Sequence, residues 1–292
     1  MSLSQNQEQA AMGLENLLMS DQGGDPIKID VDYSFDNNNF FDSALKKEAL
    51  EETLHEVASH LGDDLDAIIP TGNNTWNMVF ADPSTGNLMT LEDETIPADT
   101  LRVYVGGRDL LNIAQGGFGG FNVQGSEEFV NTVSTRGESS STNDFAPWGG
   151  TISFDRDTNW YFGSDISGLG SNQTDFRSVA AHEFFHVLGF TDSNPSFNTL
   201  INPDNFTLTG PDVIAEYDHS GSPPLNGSGD LSHWQEGLTD EGQEVAMDPT
   251  LTTGTRKMPT DLDFAALDDL GWEVLEPAEV PNQIQSSPPF GS

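Results

Sequence analysis

Apolar and polar residues alternate along several short stretches of the chain, a pattern typical of strands with one buried face. The clearest alternations place apolar residues at Ile27, Ile29, Val31 and Tyr33, and again at Leu101, Val103 and Val105. Residues 76–80 and 88–91 flank the turn-forming letters A-D-P-S-T-G-N, which predicts a hairpin. The letters G-G-T-I-S-F-D predict a further strand. Residues 106–125 are so rich in glycine that we expect an ordered loop over the sheet there.

Other stretches repeat apolar residues at helical spacing, as Leu50, Leu54 and Val57 do. Cap and stop residues then bound the expected helices. Four longer helices are expected: one between a cap at Asp42 or Ser43 and a stop at Gly62, one over 126–133, one between a cap at Thr174 or Asp175 and a stop at Gly189, and one between Thr260 and Gly271. A short helix is expected to begin at Pro211. This order of strands and helices predicts the α+β fold class.

Composition changes near both ends of the chain. Residues 1–25 are rich in Gln, Ser and Gly and predict a mobile tail, and residues 275–292 are proline-rich and predict a disordered tail. Between them, residues 26–274 are expected to form one domain, with an N-terminal part over 26–189 and a C-terminal part over 190–274. A chain of this length can bury a substantial core.

The chain is strongly acidic, with 48 Asp and Glu residues against 10 Lys and Arg residues and a formal net charge of −38. Such a charge argues against a nucleic-acid partner, because a phosphate backbone would be repelled. No stretch has the apolar length that spans a membrane. We expect most of the carboxylates to provide solubility and a few to bind calcium, which prefers oxygen ligands.

The chain contains no cysteine, so a metal would have to bind to His, Asp or Glu. Latency through a cysteine thiolate on the metal is excluded for the same reason. The N-terminal letters lack the basic start and the long apolar run of a secretory signal. Export by another route, a signal outside this sequence and retention in the cell therefore all stay open.

The clearest chemical motif is A-A-H-E-F-F-H-V-L-G-F-T-D, which contains His182, Glu183 and His186. A spacing of four places both imidazoles on one face of a helix, one turn apart. Two neutral imidazoles there can hold one Zn²⁺, and the neighbouring Glu183 can reach a water on the metal. Three such side chains without partners would cost several kcal/mol in an apolar helix. The motif therefore predicts a zinc site with Glu183 as the catalytic general base.

A catalytic zinc needs a third protein ligand, and the residues leave two main candidates. The glycine in the pattern HExxHxxGxx allows the chain to turn, so that the residue three positions later returns to the metal. That residue is Asp192, and an aspartate can bind zinc. The competitor is His233 in the letters G-D-L-S-H-W.

Several motifs together resemble the metzincin-type zinc metalloproteases. D-F-R-S-V-A-A-H-E-F-F-H-V-L-G-F resembles the active-site helix of matrixins, and G-G-T-I-S-F-D-R-D-T-N-W resembles their strand and calcium turn. A longer series resembles bacterial matrixin-like secreted proteases in its motifs and in their order: F-A-P-W-G-G, the active-site helix, H-W, V-A-M-D-P and D-L-D-F-A-A-L-D-D-L-G-W. Leishmanolysin-type enzymes keep the glycine after the helix, but an insertion separates it from their third histidine, which lies ahead of a Met-turn. The resemblance covers roughly residues 27–273.

This resemblance implies a metzincin-like catalytic domain with a mixed twisted sheet, an active-site helix, a Met-turn and a C-terminal helix. It implies that His233 is the third zinc ligand, with Asp192 as the alternative. Gly189 would redirect the chain after the helix, and Met247 in A-M-D-P would form the Met-turn beneath the metal. Both of these residues would support the site rather than take part in the chemistry.

The resemblance also bears on calcium. Asp155 and Asp157 match the matrixin calcium turn in part. Thr158 stands where that family usually has a glutamate ligand, and Ser153 where it has a histidine for a structural zinc. We therefore expect one catalytic zinc, with calcium possible at Asp155 and Asp157.

The predicted function is that of a zinc endopeptidase acting on protein or peptide substrates, monomeric and, by resemblance, extracellular. Two alternatives are a zinc hydrolase of non-peptide amides or esters and a non-catalytic calcium-binding or adhesion protein on the same fold. The segment after the Met-turn is implied to wall a side-chain pocket. In that segment Arg256 and Lys257 can either favour acidic or polar side chains or pair with neighbouring carboxylates.

Overall fold

A computed structural model describes residues 25–138, 144–217 and 219–275. The two predicted tails lie outside these ranges, apart from Asp25 and Leu275. The larger elements in chain order are β1 (Lys28–Asp32), α1 (Ala44–Ala58), β2 (Thr75–Ala81), β3 (Leu88–Glu92), β4 (Thr100–Arg108), β5 (Ala114–Phe118), β6 (Gly120–Gln124), α2 (Glu127–Thr135), β7 (Gly149–Asp155), α3 (Phe176–Val187), α4 (Pro195–Thr199), α5 (Pro211–Glu216) and α6 (Asp261–Asp268).

The main sheet has the strand order β1-β4-β7-β5. Strands β1, β4 and β7 are parallel, whereas β5 runs antiparallel to β7 at the edge. The sheet is therefore mixed, and the α+β fold class is confirmed. The register places Val31 opposite Val103, so the two alternating stretches of the sequence are neighbouring strands.

The main sheet packs between two layers because successive side chains of a strand point to opposite faces. On β4, Val103 and Val105 lie in a core shared with α1, α3 and α6. Tyr104, between them, lies in a second core with Trp76 and Trp148. The second core belongs to an antiparallel sheet with the order β3-β2-β6, which contains the predicted hairpin.

The expectation of a loop throughout residues 106–125 was wrong, because β5 and β6 lie in this segment. Two of the glycines, Gly116 and Gly119, are needed because a side chain at either position would clash with a neighbouring element. A Cβ on Gly116 would lie 2.2 Å from the carbonyl oxygen of Glu183, and one on Gly119 would lie 1.8 Å from the Trp148 ring. Glycine therefore lets this edge of the fold approach α3 and Trp148.

The four longer predicted helices are present as α1, α2, α3 and α6, and the short helix predicted to begin at Pro211 is α5. Asp175 caps α3 by accepting a hydrogen bond from the Ser178 amide, and a capping box of Thr260 and Asp263 starts α6. Between α3 and α6 the described residues form only short elements. Across the described ranges, no helix is both long enough and apolar enough to cross a membrane.

Candidate metal centre

Helix α3 is almost entirely buried, which fixes its rotation between the main sheet and α1. Its start is held by Asp175, whose carboxylate accepts hydrogen bonds from the Ser178 hydroxyl at 2.7 Å and from two nitrogens of Arg256 at 2.7 and 2.9 Å. The helix therefore presents His182 and His186 from a rigid support.

Each helical histidine has one ring nitrogen occupied. The Nδ1–H of His182 donates to the carbonyl of Ala246 at 2.8 Å, and that of His186 donates to the carbonyl of Phe190 at 2.7 Å. Both Nε2 atoms then carry the lone pair that a metal requires. Burial lowers the pKa of His186 to about 4 and that of His182 well below its usual value, which keeps both rings neutral.

The structure places His233 beside these two histidines. Its Nε2 lies 3.1 Å from Nε2 of His182, and its Nδ1–H donates to the carboxylate of Asp230 at 2.7 Å. The ligand atoms of the three histidines all lie within 4.8 Å of one another. In a tetrahedral site with Zn–N bonds of about 2.0–2.1 Å, ligand nitrogens are about 3.3 Å apart. The His182–His233 distance matches this spacing, and the three histidines lie close enough together to be candidate metal ligands.

Asp192, the alternative third ligand, is exposed and lies outside this group. Its carboxylate accepts a hydrogen bond from the Ser232 hydroxyl at 3.0 Å. Gly189 redirects the chain before it with a φ of +106°, and a Cβ there would lie 2.6 Å from the Phe145 ring. The turn thus places Asp192 in contact with Ser232, the residue that precedes His233.

Glu183 follows His182 directly and lines the same cleft as the three histidines. Its side chain is buried, with 6% of the residue exposed. Burial raises the pKa of its carboxyl to about 8, and a hydrogen bond from the Gly116 amide lowers the pKa by a smaller amount. No cation pairs with it among the described residues. A buried acidic group with a raised pKa, beside three histidines in a cleft, is a candidate functional group.

Met247 is fully buried, and the turn that carries it is held by Asp263 of α6. The Asp263 carboxylate accepts hydrogen bonds from the amides of Ala246 at 2.7 Å and Met247 at 3.2 Å, and from the indole of Trp234 at 2.9 Å. A single buried carboxylate therefore joins α6, the Met247 turn and the residue after His233. The sequence analysis missed this role of Asp263. The only indication in the sequence is that Asp263 is the second acidic residue in the first turn of the apolar helix α6.

Replacing Asp263 by Ala should destabilise the fold strongly, because four N–H donors, the amides of Ala246, Met247 and Thr260 and the Trp234 indole, would lose their acceptor. We expect a loss of about 3 kcal/mol or more in the free energy of unfolding. Asp263→Asn retains one acceptor oxygen and should lose less. Urea unfolding followed by tryptophan fluorescence measures both variants. A loss below about 0.5 kcal/mol in Asp263→Ala, the range of neutral surface changes, would contradict this role.

The predicted calcium residues are not gathered into a cluster with other acidic side chains in the described ranges. The Asp155 carboxylate accepts hydrogen bonds from the Leu110 amide at 3.1 Å and the Thr158 hydroxyl at 2.7 Å. Asp157 is exposed. The hydroxyl of Thr158 therefore occupies an oxygen that a cation would need.

Calcium binding at Asp155 and Asp157 stays a prediction that a thermal melt can test. A bound ion should raise the melting temperature with calcium relative to a calcium chelator, because a ligand of the folded state stabilises it. Asp157→Asn should reduce that shift. An unchanged melting temperature would count against calcium at this turn.

The cleft in front of the three histidines has a volume of about 320 Å³. Its walls include β5 residues on one side and the segment 248–251 with Lys257 on the other. The ammonium of Lys257 binds the Thr250 carbonyl at 2.7 Å and the carboxylates of Asp248 and Glu244 at 3.1 Å. Arg256 pairs with Asp175. Arg256 and Lys257 are therefore both paired with carboxylates of the protein, the second of the two alternatives that the sequence left open.

A family model described as SPBPB7E8-like matches residues 140–211. The matched segment contains β7 and α3 but ends before His233, and it is well short of half the chain. None of the curated proteins matches this chain, and none of the solved structures does.

Proposed function

We propose that the protein is a zinc-dependent endopeptidase of the metzincin type. The observation that supports this most is the group of three histidine nitrogens within 4.8 Å, beside the buried Glu183 in an open cleft. Neutral imidazoles whose other nitrogen donates to a carbonyl or carboxylate are typical of zinc ligands. His182, His186 and His233 would hold the ion, and the fourth position would face the cleft.

Zinc would supply Lewis acidity at the scissile carbonyl and lower the pKa of the attacking water. Glu183 accepts a proton from that water and returns it to the leaving amine. The Gly116 amide orients the carboxylate from the strand side.

The free edge of β5 is the surface on which a peptide substrate would lie. Ile113 and Gly119 hydrogen-bond to the neighbouring strand β7 through their main chains. In an antiparallel ladder the residues between these pairs turn their amides and carbonyls outward, as we expect for Ala114 and Phe118. Gly116 also faces outward, but its amide already bonds to the Glu183 carboxylate. An extended peptide can pair with such an edge and pass Glu183. This placement favours peptides over small esters.

Zinc analysis together with a cleavage assay tests the proposed function. The purified protein should contain one zinc per chain and cleave casein or gelatin until a chelator removes the metal. Zinc binding with ester hydrolysis but no peptide cleavage would favour the alternative hydrolase. Zinc binding without any hydrolysis would favour a non-catalytic protein on this fold. Absence of zinc would refute the proposal. The proposed extracellular location and monomeric state need separate measurement.

Replacing Gly116 by Ala should reduce activity far more than replacing Gly117 by Ala. The added Cβ at Gly116 would lie 2.2 Å from the Glu183 carbonyl oxygen, whereas Gly117 has no heavy atom within 4 Å of its Cβ position. The clash would shift β5 relative to the general base, and a shift of about 1 Å can cost 10²-fold in rate. Peptidase assays on both variants check this. Equal activities would contradict a close strand–helix contact.

A further inference from the structure

The segment 226–233, named here the His233 loop, is closed by hydrogen bonds among its own residues. The Asn226 amide donates to the His233 carbonyl at 3.0 Å, and the Asp230 amide donates to the Gly227 carbonyl at 2.9 Å. The Asn226 side chain donates to Oδ2 of Asp230 at 3.0 Å. The other oxygen of Asp230 accepts the Nδ1–H of His233 at 2.7 Å. The loop thus fixes the ring of His233 from within.

His233 differs from the two helical histidines in how it is supported. His182 and His186 are held by one rigid helix and donate to neutral carbonyls. His233 lies 51 residues after His182 and donates instead to a carboxylate. Asp230 therefore replaces the support that the helix gives to the others.

A second contact fixes the loop from outside. The Ser232 hydroxyl donates to the carboxylate of Asp192 at 3.0 Å and accepts the Asp192 amide at 3.0 Å. Asp192 follows directly on the turn at the end of α3. The loop and the helix end are therefore joined one residue away from His233, by contacts that need no metal.

We infer that Asp230 is a positioning residue that controls how tightly the chain retains its zinc. Its carboxylate fixes the ring orientation of His233, keeps the proton on Nδ1 and increases the electron density on Nε2. This inference rests on the proposed zinc site, but it adds a residue that contacts neither metal nor substrate. Such outer partners typically change metal affinity by about 10- to 100-fold.

The rate of zinc release into an excess of a chromogenic chelator tests this inference without an activity assay. Asp230→Ala should release zinc about 10- to 100-fold faster than the unmodified protein. Asp230→Asn, which retains an acceptor oxygen but loses the charge, should release it at an intermediate rate. The matched control is Asp204→Ala, because Asp204 is an exposed acid between α4 and α5 whose amide bonds to Asn202, outside the His233 loop. Its release rate should be unchanged.

A spectroscopic measurement separates positioning of the ligand from a general loss of stability. The absorption of bound Co²⁺ should change in Asp230→Ala, because the geometry and basicity of one ligand change, and should be partly restored in Asp230→Asn. Melting of the zinc-free proteins checks the fold. If Asp230→Ala does not fold, the release rate of Asp230→Asn alone decides.

The outcomes distinguish this inference from the proposed function. An unmodified protein with one zinc, and Asp230 variants that release it at the unmodified rate, would overturn the role of Asp230 while the zinc site stands. An unmodified protein that binds no zinc would overturn the site itself and this inference with it. Loss of peptidase activity alone would bear only on the proposed function.

Discussion

Replacing Glu183 by Gln is expected to leave one zinc per chain and to reduce peptidase activity by about 10²- to 10⁴-fold, the contribution typical of a general base. The amide fills the same space but cannot accept a proton from the attacking water. Zinc should stay bound because its three nitrogen donors belong to other side chains. The rate should therefore fall at every substrate concentration, since the loss affects the chemical step.

Zinc content and kcat/KM measured on the same preparation check this prediction. The control is Glu52→Gln, because Glu52 is a carboxylate on α1 that pairs with Arg177 and lies outside the cleft. It should keep normal zinc and nearly normal activity. A Glu183→Gln protein with zinc and substantial turnover would refute the role of Glu183.

Replacing His233 by Ala is expected to remove zinc from the purified protein. Two imidazoles on one helix would remain, and a structural or catalytic zinc site needs at least three protein ligands. Asp192→Ala should instead retain one zinc, because the Asp192 carboxylate binds Ser232 rather than the histidine group. Peptidase activity should follow the zinc content in both variants.

Metal analysis after extensive dialysis distinguishes the two candidates for the third ligand. Both variants should unfold cooperatively in the presence of a chelator, which shows that any loss of zinc is local. The assignment of His233 fails if His233→Ala keeps full zinc. It also fails if Asp192→Ala alone loses the metal.

Much of the site followed from local rules in the sequence. Helical periodicity alone places His182 and His186 one turn apart on the same face. Cap chemistry limited the start of α3 to Thr174 or Asp175, of which Asp175 is the cap, and located the start of α6 at Thr260. Gly189 was expected to redirect the chain, and its positive φ shows why glycine is needed there. These features depend on residues within a few positions of one another.

Other features depend on contacts between distant segments and could not be derived from periodicity. The choice of His233 as third ligand came from a family resemblance. Its closeness to His182 in space depends on the path of the residues between them. Strands β5 and β6 were missed because glycine is rare in strands, and its use here reflects packing against α3 and Trp148. The contacts of Asp263 with Ala246 and Trp234 also join residues that are distant in the sequence, so no local pattern predicts them.

The buried carboxylate of Asp263 also has a consequence for how the chain folds. It bonds to amides or indole nitrogens in the segment before α6, the Met247 turn and the loop that carries His233. Three segments that share one acceptor tend to gain or lose their order together, as a single cooperative unit. The His233 loop would then acquire its shape only when α6 docks, so a nascent chain would remain without the complete three-histidine group until α6 had folded.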